Sequence, residues 1–221
     1  LLSTQVHAQF TFNYNDSIQV IHFGTPLINP WAGGINYAQL SDFDYDQDGD
    51  LDLFVFDRSS DNIRVFTQEV DQNGAYYKYV HNAEMYFPQN LRYRVALVDY
   101  DQDGRKDLFT WALGGGLKVY RNTSDLLNGL QWTLFKDIVF TDYAISGINP
   151  LSINADDIPA LVDVDNDGDL DVLTSDAQGL RVEYHQNQSV ELYGIPDSLI
   201  FVQKNECWDN SQKASPPSPS T

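Results

Sequence analysis

An all-β fold built from repeated four-stranded units, of the kind that makes a β-propeller, follows from three features of this 221-residue chain. One nine-residue, aspartate-rich loop occurs three times: DYDQDGDLD at residues 44–52, DYDQDGRKD at 99–107 and DVDNDGDLD at 163–171. The copies begin 55 and 64 residues apart, a period that fits a propeller blade or a solenoid unit. The same short apolar and β-branched segments recur around each loop, and no segment carries a long 3.6-residue apolar period.

Within a unit the elements follow in a fixed order. A first strand leads into the loop, as AQLSDF from Ala38, VALVDY from Val95 and ALVDV from Ala160. A second strand leaves it, as LFVF from Leu53, LFTW from Leu108 and VLTS from Val172. Face-to-face packing buries an inner strand on both sides, so it reads as an apolar run, as residues 51–56 do, rather than as strict alternation. Then come a turn and a third strand: NIRVF at 62–66, GLKVY at 116–120 and GLRVEY at 179–184. The glycine triplet 114–116 is expected as a hairpin turn, because no helix start or lysine follows it in the P-loop manner. Outer strands are expected at 76–87, 130–140 and 199–208, and an aromatic content of 13% supplies bulk to fill the faces. Four short strands per unit make a blade.

Each loop fits D-x-D-x-D-G-x-x-D, and its chemistry is that of a hard cation. Calcium takes six to eight oxygen ligands at about 2.3–2.6 Å, which alternating carboxylates and one carbonyl supply from a tight turn. Positions one, three and five are Asp44, Asp46 and Asp48; Asp99, Asp101 and Asp103; and Asp163, Asp165 and Asp167. Position six is glycine throughout, free to enter the left-handed region. Position seven is expected to bind through its backbone carbonyl, which lets it be Asp50, Arg105 or Asp169. Asp52, Asp107 and Asp171 at position nine close the shell, giving up to three Ca2+ sites. In the second loop Arg105 and Lys106 reduce the negative field. An EF-hand is excluded: position twelve is Val55, Thr110 or Thr174, not a bidentate Glu, and the flanks are strand-forming. Acidic turns that hold no metal are the competing interpretation.

The domain plan is one repeat region, 9–208, between a stretch at 1–8 that reads as the tail of a secretory signal and a disordered Ser/Pro-rich tail at 209–221. Closed propellers have about four to eight blades. Three loops, with residues 10–23 as an extra pair of strands, are too few, so the chain is expected to be a fragment of a larger propeller or to self-associate. The balance of 13 basic against 32 acidic residues disfavours nucleic acid and anionic membranes as partners. No apolar run reaches the length of a membrane span. Cys207 is the sole cysteine, so no internal disulfide forms. The sequons at Asn15, Asn122 and Asn187 read as chance.

The loops and their flanks resemble the FG-GAP/VCBS repeat family, the calcium-binding blades of integrin α-subunit heads and of many secreted bacterial proteins. The resemblance covers residues 35–208. Trp31-Ala-Gly-Gly34, Phe54-Val-Phe-Asp-Arg58 and Glu206-Cys-Trp208 look like pieces of bacterial cell-surface members secreted across the outer membrane. It implies a β-propeller in which calcium stiffens a hairpin, a secreted or cell-surface location, and adhesion or binding rather than catalysis. The residues agree on the last point. His7, His22, His81 and His185 lack metal-ligand spacing, no G-x-S-x-G elbow occurs, and the clustered carboxylates belong to the loops. The expectation is a non-catalytic, calcium-binding module for an extracellular protein or glycan, with the connection 141–157 as binding loop. The alternative is a non-catalytic part of a larger secreted polysaccharide-acting enzyme.

Overall fold

The computed structural model describes residues 13–15 and 17–208, which fall in two compact units, Leu1–Gly34 and Ile35–Thr221. Among the described residues the first unit holds one short hairpin, β1 (Ile21–His22) and β2 (Thr25–Pro26), turned at Phe23 and Gly24, both at positive φ. Of the extra pair of strands expected at 10–23, β1 falls inside that stretch and its partner β2 just beyond it; residues 10–12 and 16 are outside the described set, as are 1–9 and 209–221. Trp31 Nε1 donates to the Ile18 carbonyl at 3.2 Å within this unit.

Among its described residues the second unit contains three sheets, antiparallel except for one parallel pairing in the third, and none closed into a barrel. The first runs in sequence order through β3 (Ala38–Phe43), β4 (Asp52–Asp57), β5 (Asn62–Asp71) and β6 (Gly74–Val80). The second repeats the order with β7 (Val95–Val98), β8 (Asp107–Trp111), β9 (Leu117–Asn122) and β10 (Trp132–Lys136). A hairpin of β11 (Phe140–Tyr143) and β12 (Gly147–Pro150) follows, then the third sheet: β13 (Ala160–Val162), β14 (Asp171–Ser175), β15 (Val182–Asn187) and β16 (Phe201–Asn205). The hairpin joins this sheet, with β11 parallel to β16 and Thr141 opposite Phe201.

Two expectations change here. The outer strand placed at 76–87 stops at Val80, because Asn82 turns left-handed (φ 57°) and starts a 3-10 turn at Ala83–Tyr86 that drops Ala83 and Phe87 into the core. The connection 141–157 is not a free loop. Its first half is strand, and Leu151 and Ile153 are fully buried.

Alternation explains why the inner strands read as unbroken apolar runs. Successive strand side chains point to opposite faces, and the second sheet is covered on both. Val95, Leu97 and Leu108 join Phe43, Phe54, Phe56 and Val65 in one core against the first sheet. Ala96, Val98 and Phe109 join Leu117, Val119, Leu151 and Val172 in another against the third. Aromatic rings set the first core: Phe43 meets Phe54 and Phe87 edge-on, and Phe87 stacks on Trp132 at 5.7 Å.

A pair of arginines ties the three sheets at the ends of these strands. Arg94, buried just before β7, donates to the carbonyls of Asn154 (2.7 Å), Asp157 (3.1 Å) and Gly116 (2.7 Å). Arg58, just past β4, reaches the carbonyls of Tyr93, Ala155 and Asp156. Gly116 has no alternative here: its φ is +106°, and a Cβ would stand 2.7 Å from the Leu151 carbonyl oxygen.

Phe109→Ala should cost about 3–5 kcal/mol, the usual range for emptying a buried aromatic site, seen as a lower urea midpoint at unchanged slope. Gly116→Ala should also destabilise, through strain and the displaced 150–154 segment. A wild-type midpoint for either variant would contradict the packing described.

Candidate metal centres in three carboxylate loops

Each loop joins the first and second strands of its sheet, and the three share one hydrogen-bond scheme. The position-one carboxylate accepts from the position-six glycine N–H: Asp44 from Gly49 (3.1 Å), Asp99 from Gly104 (3.0 Å) and Asp163 from Gly168 (3.1 Å). The position-five carboxylate accepts from the position-seven N–H: Asp48 from Asp50 (3.0 Å), Asp103 from Arg105 (2.8 Å) and Asp167 from Asp169 (3.0 Å). Backbone reversal needs two left-handed residues, not one. Besides the glycines, Gln47, Gln102 and Asn166 at position four have φ of 58–64°. Asparagine enters that region more readily than most residues, whereas the two glutamines are held there by the loop; the Gln102 side-chain amide donates to the Gly168 carbonyl of the third loop.

Position nine is a structural clamp. Asp52, Asp107 and Asp171 are buried, and each accepts two backbone N–H groups. One comes from position two of its own loop, Tyr45 (2.7 Å), Tyr100 (3.2 Å) or Val164 (2.9 Å). The other comes from the third strand of the sheet, Gln68, Asn122 or Asn187, each at 2.8 Å. Tyr184 adds its hydroxyl to Asp171 at 3.1 Å.

What these bonds leave over points inward. Seven buried side-chain polar atoms lack a hydrogen-bond partner among the described residues, and five are loop carboxylate oxygens: Asp44 Oδ1, Asp50 Oδ1, Asp99 Oδ1, Asp167 Oδ2 and Asp169 Oδ1. Buried polar groups are nearly always paired, so the chemistry of these oxygens fits a cation. Ligand atoms come within 4.8 Å of one another in Asp44, Asp46 and Asp48; in Asp99, Asp101 and Asp107; and in Asp163, Asp165 and Asp171. The loops thus assemble oxygen-only groups able to hold a metal. Asp52 falls outside the first such group, where Asp48 takes part instead, and Asp103 falls outside the second.

The second loop is partly neutralised by its own chain. Arg105 turns back onto Asp103 and donates to the Asn122 carbonyl at 3.2 Å. Arg121 pairs with Asp101 at 3.1 Å while lying over the Phe135 ring. Lys106, expected to weaken this loop, instead pairs with Asp42 of β3 at 2.6 Å. Arg121 escaped the sequence reading because it lies fourteen residues beyond the motif.

Without a cation, burial dominates the carboxyl energetics. Desolvation pushes Asp107 up to about 7 and Asp169 up to about 6, with neighbouring loop aspartates adding to it. Asp52, Asp101 and Asp171 are raised for the same first reason, offset in part by their backbone donors or by Arg121. Outside the loops, the Tyr37 N–H and the Ser59 and Ser60 donors hold the Asp57 carboxyl low.

The sequence reading also missed the partners of position nine. Asn122 and Asn187, noted there only as sequons, are buried, and each Oδ1 accepts from the N–H two residues on, Ser124 (3.0 Å) or Ser189 (3.3 Å). Their signal was the shared Asn-x-Ser placed fifteen or sixteen residues after position nine. Cys207 is a half-buried free thiol, and Trp208 packs edge-on against Tyr184 at 4.9 Å.

Fold and loops together define a tandem β-sheet repeat in the second unit, with an acidic loop joining the first two strands of each of its three sheets. The family model for the FG-GAP-like repeat matches residues 44–110, so that segment carries an FG-GAP-like repeat. The match begins at the first loop and ends in β8, just past the second; the third loop has the same motif beyond it. Repeats of this kind occur in extracellular proteins, and no helix among the described residues is long and apolar enough to cross a membrane. No curated protein and no solved structure matches the chain.

In chelator, Asp171→Ala should destabilise by about 2–4 kcal/mol, since two backbone donors and the Tyr184 hydroxyl lose their acceptor. Asp48→Ala, which loses one exposed bond, should cost little until divalent cation is added. Equal losses for both in chelator would refute this division. A second expectation concerns pH. A carboxyl whose folded pKa is raised binds more protons folded than unfolded, so its contribution is present below about 4 and lost as pH rises through the folded value. In chelator, stability should therefore fall between about pH 5 and pH 8, a window in which Asp57, already ionised, adds no slope. A melting temperature that rises across this window would show the aspartates to be otherwise placed.

Proposed function

We propose that this chain is a calcium-braced module of a β-propeller, acting outside the cell, which binds a protein or glycan partner and performs no catalysis of its own. The observation that carries the proposal is the recurrence of orphaned, inward-facing carboxylate oxygens in all three loops. Three features favour calcium: the donors are oxygen only, the acidic groups are irregular, and extracellular calcium suits sites of about 10⁻⁴–10⁻³ M. The propeller reading is supported by sheets of four sequential strands packed face to face, by the FG-GAP-like match, and by the way propellers repeat such units about an axis.

Calcium does here what the clamp residues do, and adds to it. It neutralises trios of like charge held close together and fixes a hairpin that the position-nine aspartate already anchors. The partner surface is best sought at the tip of the β11–β12 hairpin, where Ile145 and Ile148 stand almost free of the fold. Replacing the whole 141–157 stretch would empty Leu151 and Ile153 from the core, so only residues 144–146 are open to exchange.

Calorimetric titration of chelator-stripped protein with Ca2+ should show at least two equivalents, the second loop filling last because Arg105 and Arg121 occupy its acids. At about 2 mM Ca2+, each site with a dissociation constant of about 10⁻⁴–10⁻³ M adds roughly 0.6–1.8 kcal/mol of stability, read as a higher melting temperature. Absence of both heat and shift would end the calcium reading.

A further inference from the structure

The strand ends far from the acidic loops carry a different kind of surface. Trp111 closes β8, about 14 Å from Asp107 at the usual rise per strand residue, and the segment 88–93 leads past it from the 3-10 turn toward β7. A cavity of about 330 Å³ opens there, with Gln89, Asn90, Arg92, Trp111, Lys118 and Tyr120 in its lining. Its size and its mixture of aromatic wall and few polar groups are those of a ligand pocket. A groove of about 510 Å³ shares Gln89, Asn90 and Arg92 with it and continues to Asp61, Asn62 and Glu84.

The segment that presents Arg92 is strained and firmly held. Leu91 is buried in the first core. Tyr93 is left-handed at φ 63°, and the Arg94 N–H closes on the Arg92 carbonyl at 2.7 Å, a γ-turn of the strained hand around a bulky residue. Such strain persists only where the surroundings over-determine it. Here Asp61 Oδ1 accepts the Tyr93 N–H at 2.9 Å, Arg58 donates to the Tyr93 carbonyl, and the Tyr93 ring meets Trp111 edge-on at 5.0 Å. What the turn fixes in place is Arg92, with an aromatic pair beside it.

Charge sets this cavity apart from the rest of the molecule. On a chain of 32 acidic and 13 basic residues, its lining contains no acid. Lys118 is engaged by Asp137 at 2.7 Å, whereas the Arg92 guanidinium has no ion pair or hydrogen bond among the described residues. Exposed acids of the second loop lie beyond the Debye length of about 8 Å at physiological salt, so their repulsion of an anion here is largely screened.

We propose that this cavity binds a carboxylate-bearing sugar residue, a uronate, of an acidic glycan. The Arg92 fork fits a carboxylate through two parallel N–H···O bonds. Trp111 and Tyr120 take the C–H face of the sugar ring, and the amides of Gln89 and Asn90 serve its hydroxyls as donors and acceptors. In the adjoining groove Asp61 and Glu84 only accept, which suits the hydroxyls of a neutral neighbouring sugar and repels a second acid. One open guanidinium matches a monoanion; a phosphate dianion would find its second cation, Lys118, already paired. The site goes beyond the calcium reading, since it needs no metal, and no residue of the β11–β12 hairpin lines it.

The test is calorimetric titration of the full chain, Arg92→Ala and Arg92→Lys, with calcium and in chelator. The probes are oligosaccharides in which glucuronate or galacturonate alternates with a neutral sugar, each beside its methyl-esterified, uncharged form. Arg92 is exposed, so both variants should melt at the wild-type temperature. The expected result is binding of an acidic form that weakens at least about tenfold on esterification and at least about tenfold in Arg92→Ala, the scale of a hydrogen bond to a charged group, with Arg92→Lys between. Absence of binding to every acidic form, equal binding of acid and ester, or acid binding that survives Arg92→Ala overturns the site. Preference for the free carboxyl end of a peptide over every sugar overturns it too. Uronate binding by a chain that takes up no calcium upholds the pocket and removes only the calcium reading.

Discussion

The buried position-nine aspartate is the contact on which the remainder of each sheet depends. Its two oxygens gather a donor from the loop and a donor from the third strand, so one side chain fixes where the loop ends, how the second strand leaves it and which residue of the third strand lies opposite. A carboxylate suits this because it accepts on both oxygens; an amide would present a donor to one of the N–H groups. The burial that raises its pKa is the energetic counterpart of that role. Cation and clamp are therefore adjacent functions of one motif, with the clamp built from backbone and the cation site from what the clamp leaves unsatisfied.

Above that scale the sheets are held by two kinds of contact. Apolar faces supply most of the burial, with the second sheet sandwiched so that neighbouring residues such as Leu108 and Phe109 serve different cores. Polar side chains then set the alignment. Gln39 and Ser41 of β3 accept the N–H groups of Val95 (3.1 Å) and Leu97 (3.2 Å) on β7, satisfying an edge that would otherwise lie bare. Arg58 and Arg94 do the same for the carbonyls of 153–157. Buried guanidinium without a carboxylate partner is costly, and several carbonyl acceptors spread over one loop offset that cost for Arg94.

Much of this was legible in the sequence, for identifiable reasons. The motif is local, so the loops, their left-handed glycines and the two strands around them could be placed from spacing alone. Face-to-face burial leaves an apolar run that marks the inner strands. What sequence could not show was set by distant parts of the chain. Arg121 reaches Asp101 through the pairing of β8 with β9. Lys106 leaves its own loop for Asp42, sixty-four residues away. The 141–157 connection looked like a loop because its strands carry few apolar residues, β12 lying at the exposed edge of the third sheet and β11 next to it. Glu191 was set aside as a scattered acid, since only the short helix Ser189–Tyr193 brings it near Asp165 and Asp167.

The parallel pairing of β11 with β16 has a consequence for the order in which the chain can assemble. The first and second sheets close by hairpins between neighbouring strands and can form as soon as their residues are present. β11 must wait for a partner sixty residues downstream, since Thr141 sits opposite Phe201. Until that closure, the polypeptide between them is a long entropic tether, and non-local pairings of this type are slow to form. Within the third sheet β13 to β16 pair between sequence neighbours as the first two sheets do, so the non-local join falls on the β11–β12 hairpin alone, and with it the segment that carries Leu151 and Ile153 beneath the arginines.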